Sequence, residues 1–203
     1  MENIFDNELQ KIYQTLYDHY SDLHWWPAKT PYEVIVGAVL TQNTAWSNVE
    51  KAIMNFGDRL IPEFVMNIGI TDLKEIIKPA GFFNQKAGYL KAVTEWFSGY
   101  DYNVQTVQIE PLDMLRKELL SVKGIGQETA DAILLYAFGF PTFVVDACTV
   151  RLCKRYPINT GDDKYISIKN HFENNLPGDE KLYNQFHAFI VMNAKNYWIM
   201  GGM

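Results

Sequence analysis

The strongest constraint on this chain lies in Leu119 to Arg155, LLSVKGIGQETADAILLYAFGFPTFVVDACTVRLCKR. An amphipathic helix, PLDMLRKELL, runs into Val122-Lys123-Gly124-Ile125-Gly126, and a second helix is expected from about Gln127. Two glycines one residue apart permit backbone angles that other residues resist, and they let another backbone approach closely. The second helix then starts with N–H groups that have no intrahelical acceptor, a natural seat for a phosphate. Eighteen residues beyond Glu128, after an apolar run, Asp146 stands just before a further helix. On the residues alone two readings stay open. One is an αα-hairpin followed by an aspartate that merely caps a helix. The other is a backbone anion grip with a reactive carboxylate behind it.

The rest of the chain reads as helices. No stretch shows strand alternation bounded by turns, so the fold class expected is all-α. Residues from about Asn3 to Asp22 form a first helix. Thr30-Pro31-Tyr32-Glu33 supplies an N-cap, a proline at the first helical position and a glutamate at the third. The helix it opens, through Thr41, is apolar on nearly all sides and so central. Another is expected from Asn43-Thr44, with Trp46, Val49, Ile53 and Phe56 inward. Short helices follow near 62–66 and, capped by Thr71, to Lys78, with a turn at Pro79-Ala80-Gly81. Residues 84–97 place Ala87, Leu90, Val93 and Phe97 on one face. A loop is expected over 98–110, and Pro111 opens the first hairpin helix. Two last helices are expected over about 162–175 and 179–197.

GIGQETADAIL followed by VVDACTVRLCKR is similar to the helix-hairpin-helix-Gly/Pro-Asp core of the endonuclease III superfamily of DNA glycosylases. WWPAKTPYEVIVGAVLTQNTAW and KPAGFFNQKAGYL resemble its 3-methyladenine glycosylase branch, the type that lacks an iron–sulfur cluster. The resemblance implies a two-lobed fold. A six-helix barrel lobe would span 30–138 and contain the hairpin, a second helical lobe would join 1–29 to 139–203, and the substrate cleft would lie between them.

It also implies roles for single residues. A DNA glycosylase turns a nucleotide out of the stack and stabilises an oxocarbenium-like sugar as the base leaves. Asp146 matches the family's catalytic aspartate, which stabilises that sugar and orients or deprotonates water. Its capping role is compatible, because backbone N–H donors keep a carboxylate ionised. Bifunctional relatives carry a lysine where this chain has Glu128, and that amine forms the Schiff base by which they cut the strand. Glutamate lacks that chemistry, so Glu128 is read as facing the pocket, against the plainer reading of an acid in a helix's first turn. Trp25, Trp26, Pro27 and Trp46 would line the base pocket, with Lys195 nearby. Aromatic faces attract a cationic methylated purine by about 0.5–2 kcal/mol per contact. Each also reads plainly, the tryptophans as core and Lys195 as a solvent-facing lysine. Gln42 matches a residue that fills the gap left by the flipped nucleotide, or is simply a polar residue at a helix end. Lys123, Gly124, Ile125, Gly126 and Arg151 would contact the DNA backbone, with a monovalent cation held by turn carbonyls.

Composition sets limits on this. Eighteen Lys and Arg against 24 Asp and Glu give a net charge of −6. Sequence-independent DNA affinity comes from cations at phosphates, so a local footprint at Lys123, Arg151, Lys154 and Arg155 is expected on an acidic body. The two cysteines, Cys148 and Cys153, are five residues apart on one helix and point about 140° from each other. They form no bridge and fall short of the four thiolates a cluster commonly takes, so no iron–sulfur cluster is expected, and no side chain is assigned to a metal. MENIFDNELQ lacks the features of a signal peptide. The apolar run from Ala132 to Val145 is interrupted by Gly139 and Pro141 and is too short for a bilayer, which takes about 20 residues. A soluble, cytoplasmic, nucleoid-associated monomer acting on damaged double-stranded DNA is the expectation: a monofunctional glycosylase for alkylated purines. The alternatives are a glycosylase/lyase for oxidised pyrimidines and a helix-hairpin-helix module that binds damage without cutting.

Overall fold

A computed structural model describes residues 8–23, 25–156 and 158–195. Among them the regular structure is entirely helical, an all-α fold. In chain order the first α-helices are α1 (Glu8–Tyr20), α2 (Pro31–Leu40), α3 (Trp46–Phe56), α4 (Pro62–Asn67), α5 (Ile70–Ile77) and α6 (Phe83–Ser98). They are followed by α7 (Val104–Gln108), α8 (Leu112–Ser121), α9 (Gln127–Ala132), α10 (Ala147–Arg155), α11 (Tyr165–Asn175) and α12 (Glu180–Lys195). The chain divides into two compact units, Ala28–Phe140 and the segments on either side of it.

The Ala28–Phe140 unit is built around α2. Thr30 caps it by accepting the Glu33 N–H at 3.1 Å, Pro31 takes the first helical position, and the Glu33 carboxylate reaches back to the Lys29 N–H at 3.2 Å. Tyr32 and every residue from Val34 to Leu40 are buried, because α3, α6, α9 and the turn after α9 surround this helix. Helix α6 buries Ala87, Leu90, Val93 and Phe97, as its period requires. Lys86, on the same helix, is only 2% exposed. Its ammonium donates to the Leu40 carbonyl (2.7 Å), the Thr44 hydroxyl (2.7 Å) and the Ala80 carbonyl (2.9 Å). Burial pushes its pKa down to about 8.

That staple explains one departure from the sequence pattern. Thr44 is occupied with Lys86 and Ala80, and Asn43 sits at a φ of +51°, so α3 starts at Trp46 rather than at Asn43-Thr44. Its core face is Val49, Ala52 and Phe56. Trp46, in the first position, stays half-buried at the rim, and so does Ile53. Helix α5 is preceded by Gly69, not by a Thr71 cap. The expected loop over 98–110 contains α7, whose start Asn103 caps by accepting the Gln105 N–H at 2.8 Å.

The unit flanking it rests on α12. Helix α1 buries Leu9, Ile12 and Leu16, and Tyr13 meets Phe186 edge-on with centroids 5.4 Å apart. The expected start of this helix near Asn3 lies outside the described residues. Helix α10 packs on α12. Helix α11 begins at Tyr165 rather than Asp162, because Asp162 turns the preceding loop by accepting the Lys164 N–H at 3.0 Å.

Candidate functional site

The hairpin lies in the Ala28–Phe140 unit. Helix α8 ends as Val122 enters extended backbone, and α9 starts at Gln127 with no side chain capping it at Gly126. The two glycines differ. Gly124 has a φ of +86°, and a Cβ there would meet the Tyr89 ring at 2.2 Å, so only glycine fits. Gly126 has a φ of −92°, extended backbone open to any residue, and a Cβ would meet nothing within 4 Å. The expectation that both glycines are required by backbone angle therefore holds for Gly124 alone. Ile125 is buried and its N–H closes the turn onto the Val122 carbonyl at 3.1 Å, so its contribution to a ligand would be through its carbonyl. Lys123, Gly126 and Glu128 are exposed.

Gln42 supports the turn from beneath. Its Nε2 donates to the Gly124 carbonyl at 2.9 Å and to the Thr129 hydroxyl at 3.0 Å. A cation at the turn would share the Gly124 and Val122 carbonyls with these existing bonds. Arg116 on α8 and Asp131 on α9 set the angle between the two hairpin helices through a two-pronged ion pair, at 2.7 and 3.0 Å. Asp131 is fully buried.

The two glycines predict opposite mutational outcomes. Gly124→Ala should destabilise the fold by about 2 kcal/mol, from the strained φ and the Tyr89 overlap. Gly126→Ala should cost less than about 1 kcal/mol, so any larger loss of DNA affinity in that variant reports contact with DNA rather than misfolding. Thermal melts together with binding to undamaged duplex check both. A Gly124→Ala protein as stable as wild type would refute the steric assignment.

The carboxylate lies in the other unit. Asp146, itself in extended backbone, ends the non-helical segment after Pro141 and caps α10: its Oδ1 accepts the Thr149 N–H at 2.7 Å and the Thr149 hydroxyl at 3.0 Å. Its Oδ2 stands 3.8 Å from Nε2 of His187 on α12. The side chain is 18% exposed. Burial alone would raise its pKa, but the His187 charge and the bonds from Thr149 and Cys148 outweigh it and hold the carboxyl below the usual carboxylate range. His187 is deeply buried, which favours its neutral form against the pull of Asp146. At neutral pH the Thr149 bonds therefore keep Asp146 ionised. The imidazole adds its charge only when acid protonates it. This group is a part-exposed, pre-ionised carboxylate of fixed orientation, suited to facing a developing positive charge.

The other expected site residues fall as follows. Arg151 is exposed, and its guanidinium donates to the Cys148 sulfur at 3.1 Å, one turn beyond Asp146. Lys154 is engaged by Asp163 at 2.8 Å, so the basic footprint is smaller than the sequence count suggests. Trp25 and Trp26 are half-buried and Pro27 is exposed. Trp46, half-buried in the Ala28–Phe140 unit, donates its indole N–H to Glu50 at 2.9 Å, one turn along its own helix. The side chain of Lys195 lies outside the described residues. No described helix is long and apolar enough to cross a membrane.

Three features were not found from the sequence. His187 sits in an apolar stretch of α12, and nothing local ties it to Asp146. Tyr89, whose ring fills the space over Gly124, reads as an ordinary aromatic of α6. Phe82 is the third: at a φ of +47° its ring is 62% exposed, a flat apolar face held in solvent. Only the Gly81-Phe82 pair before an apolar helix hints at it.

The chain has counterparts among known proteins in sequence and in fold. Residues 36–178 match the HhH-GPD superfamily of base excision DNA repair proteins. A Methanocaldococcus jannaschii protein named as a candidate DNA repair glycosylase is 46% identical over 97% of this chain and 90% of its own length. Endonuclease III of Escherichia coli is 28% identical over 82% of this chain and 74% of its own. The structure of Helicobacter pylori 3-methyladenine DNA glycosylase, bound to 1,N6-ethenoadenine, superimposes with a TM-score of 0.80 at 27% identity, covering 94% of this chain and 99% of that one. A trapped covalent intermediate of endonuclease III with DNA shares the fold, with a TM-score of 0.76 at 21% identity over 92% of this chain and 86% of that one. The glycine hairpin, the capped aspartate and these matches place the chain in the HhH-GPD superfamily of base excision DNA repair proteins, as one of its DNA glycosylases.

Proposed function

We propose that this chain is a monofunctional DNA N-glycosylase that releases alkylated purines, 3-methyladenine among them, by hydrolysis. The observation that carries this reading is the state of Asp146: ionised, oriented by Thr149 and partly open, in a motif where Glu128 replaces the lysine of strand-cutting relatives. The likeness to the Helicobacter pylori 3-methyladenine enzyme supports the choice of substrate. A methylated purine is cationic while still bonded to its sugar, so it leaves readily and asks little acid catalysis. Asp146 would then stabilise the sugar cation and direct water onto it. Trp46, half-buried and fixed by Glu50, offers an aromatic face for the charged base. The hairpin backbone would take a phosphate, and this chemistry needs no iron–sulfur cluster.

The endonuclease III relatives favour a second reading, a glycosylase/lyase for oxidised pyrimidines. Base release from methylated duplex DNA, with strand integrity followed in the same tube, separates the two. A protein that never releases base would instead be a damage-binding module. Wild-type protein treated with borohydride on substrate DNA should give no covalent complex, and the abasic product should persist until alkali cuts it. Glu128→Lys should give at least weak trapping, because position matters more than basicity in forming a Schiff base. Efficient trapping by the wild type would establish the lyase reading.

A further inference from the structure

The segment that delivers Asp146 has an unusual source of support. Residues Thr142 to Val145 are all buried and lie outside any helix, yet they pair with no strand among the described residues. Buried backbone N–H groups need acceptors, and in a sheet the neighbouring strand would provide them. Here a helix does so through its side chains. Tyr165, Lys169 and Glu173 recur every four residues along α11 and therefore share one face. Glu173 Oε1 accepts the Phe143 N–H at 2.8 Å. Lys169, itself buried, bonds both the Glu173 carboxylate and the Thr142 hydroxyl. The Tyr165 hydroxyl accepts from the Val145 N–H in a longer contact of 3.5 Å.

The apolar side of the same segment is held as firmly. The Phe143 ring stacks on Phe172 of α11 with centroids 4.3 Å apart, and it meets Tyr183 of α12 edge-on at 5.5 Å. Side-chain packing fixes how deep the segment lies. The polar contacts fix its position along its own direction, which packing controls poorly. Asp146 follows directly, and its carboxylate is placed by that backbone before Thr149 orients it.

We infer that the Tyr165–Lys169–Glu173 face of α11 is a positioning device for Asp146, acting as a one-sided substitute for a sheet partner. The inference rests on the proposed role of Asp146 and assigns none of the three a contact with DNA. Release of the grip lets the segment slide, and an error near 1 Å at a reacting group costs about a hundredfold in rate.

The test compares Glu173→Ala with Glu173→Gln. Both remove the charge that Lys169 meets, but only alanine removes the acceptor of the Phe143 N–H. Glu173→Ala is expected to lower single-turnover base release from methylated duplex by about 10- to 100-fold while half-saturating DNA concentration changes little. Glu173→Gln should recover most of the rate. Tyr165→Phe, a milder change, should give an intermediate loss. Amide hydrogen exchange supplies a readout that needs no activity: in Glu173→Ala the Phe143 N–H should exchange faster while amides of α10 and α12 keep wild-type rates. Equal rate losses in both Glu173 variants would assign the effect to the ion pair and overturn the inference. So would unchanged Phe143 exchange in the alanine variant. Wild-type protein that releases no base would sink the glycosylase proposal instead, leaving the exchange result to judge the grip.

Discussion

Asp146→Asn should lower base release by at least a hundredfold while leaving lesion binding within a few-fold of wild type. The size follows from removing a fixed charge aimed at a developing cation, which costs roughly 10²–10³ in rate for a single preorganised group. The selectivity follows from the capping geometry. Asparagine keeps an oxygen that can accept the Thr149 N–H, so α10 should start where it does now. The loss would then lie in the chemistry rather than the fold. A pH profile adds a signed check. The folded carboxyl titrates below its ordinary value, so the active ionised form persists through neutral and mildly acid pH. The dependence on Asp146 should be lost only as pH falls through that depressed pKa, under the usual value of about 3.9. The stability that its capping bonds contribute is present above the unfolded pKa and fades in the same low window. Normal excision by Asp146→Asn would remove Asp146 from the chemistry.

The second large effect concerns stability. Arg116→Met should cost about 3–5 kcal/mol, because it leaves the fully buried Asp131 carboxylate without its counter-charge. For a chain of this length that is a fall in melting temperature of roughly 6–20 °C. Asp131→Leu should cost less. The guanidinium it strands is 18% exposed and can turn toward water, whereas the carboxylate has no such route. This order, Arg116→Met worse than Asp131→Leu, separates a desolvation penalty from simple loss of attraction, which would make the two equal. Equal or reversed melting shifts would show that burial of Asp131 is not what makes the pair matter. Because the pair joins α8 to α9, both variants should also weaken binding to undamaged DNA at temperatures where they remain folded.

What could be read from the sequence was whatever is local. The Thr30–Glu33 cap, the inward face of α6 and the Asp146 cap each sit within a turn or two of the residues that cause them. Expectation and structure agree at those places. The short helix α7 was also local, announced by Asn103, but five residues are too few to show an apolar period. The misplaced start of α3 had a distant cause, since Thr44 is held by Lys86, and nothing near residue 44 reveals that. The same limit hid much of the candidate site. Gln42 under Gly124, Tyr89 over it, His187 beside Asp146 and the α11 face along Thr142–Val145 are all pairings between residues far apart in the chain. The sequence marked which residues had unusual chemistry. It did not mark what holds them.

Lys86 carries a consequence for how opening of this protein can be watched. With three oxygens around its ammonium and 2% of its surface exposed, it is closed to acylating reagents and to trypsin while α2, α6 and the Thr44 turn stay together. Surface lysines react at once whatever the fold does. The delay before Lys86 is labelled therefore times the separation of those three segments, and it is a clock set by local opening rather than by loss of the whole structure.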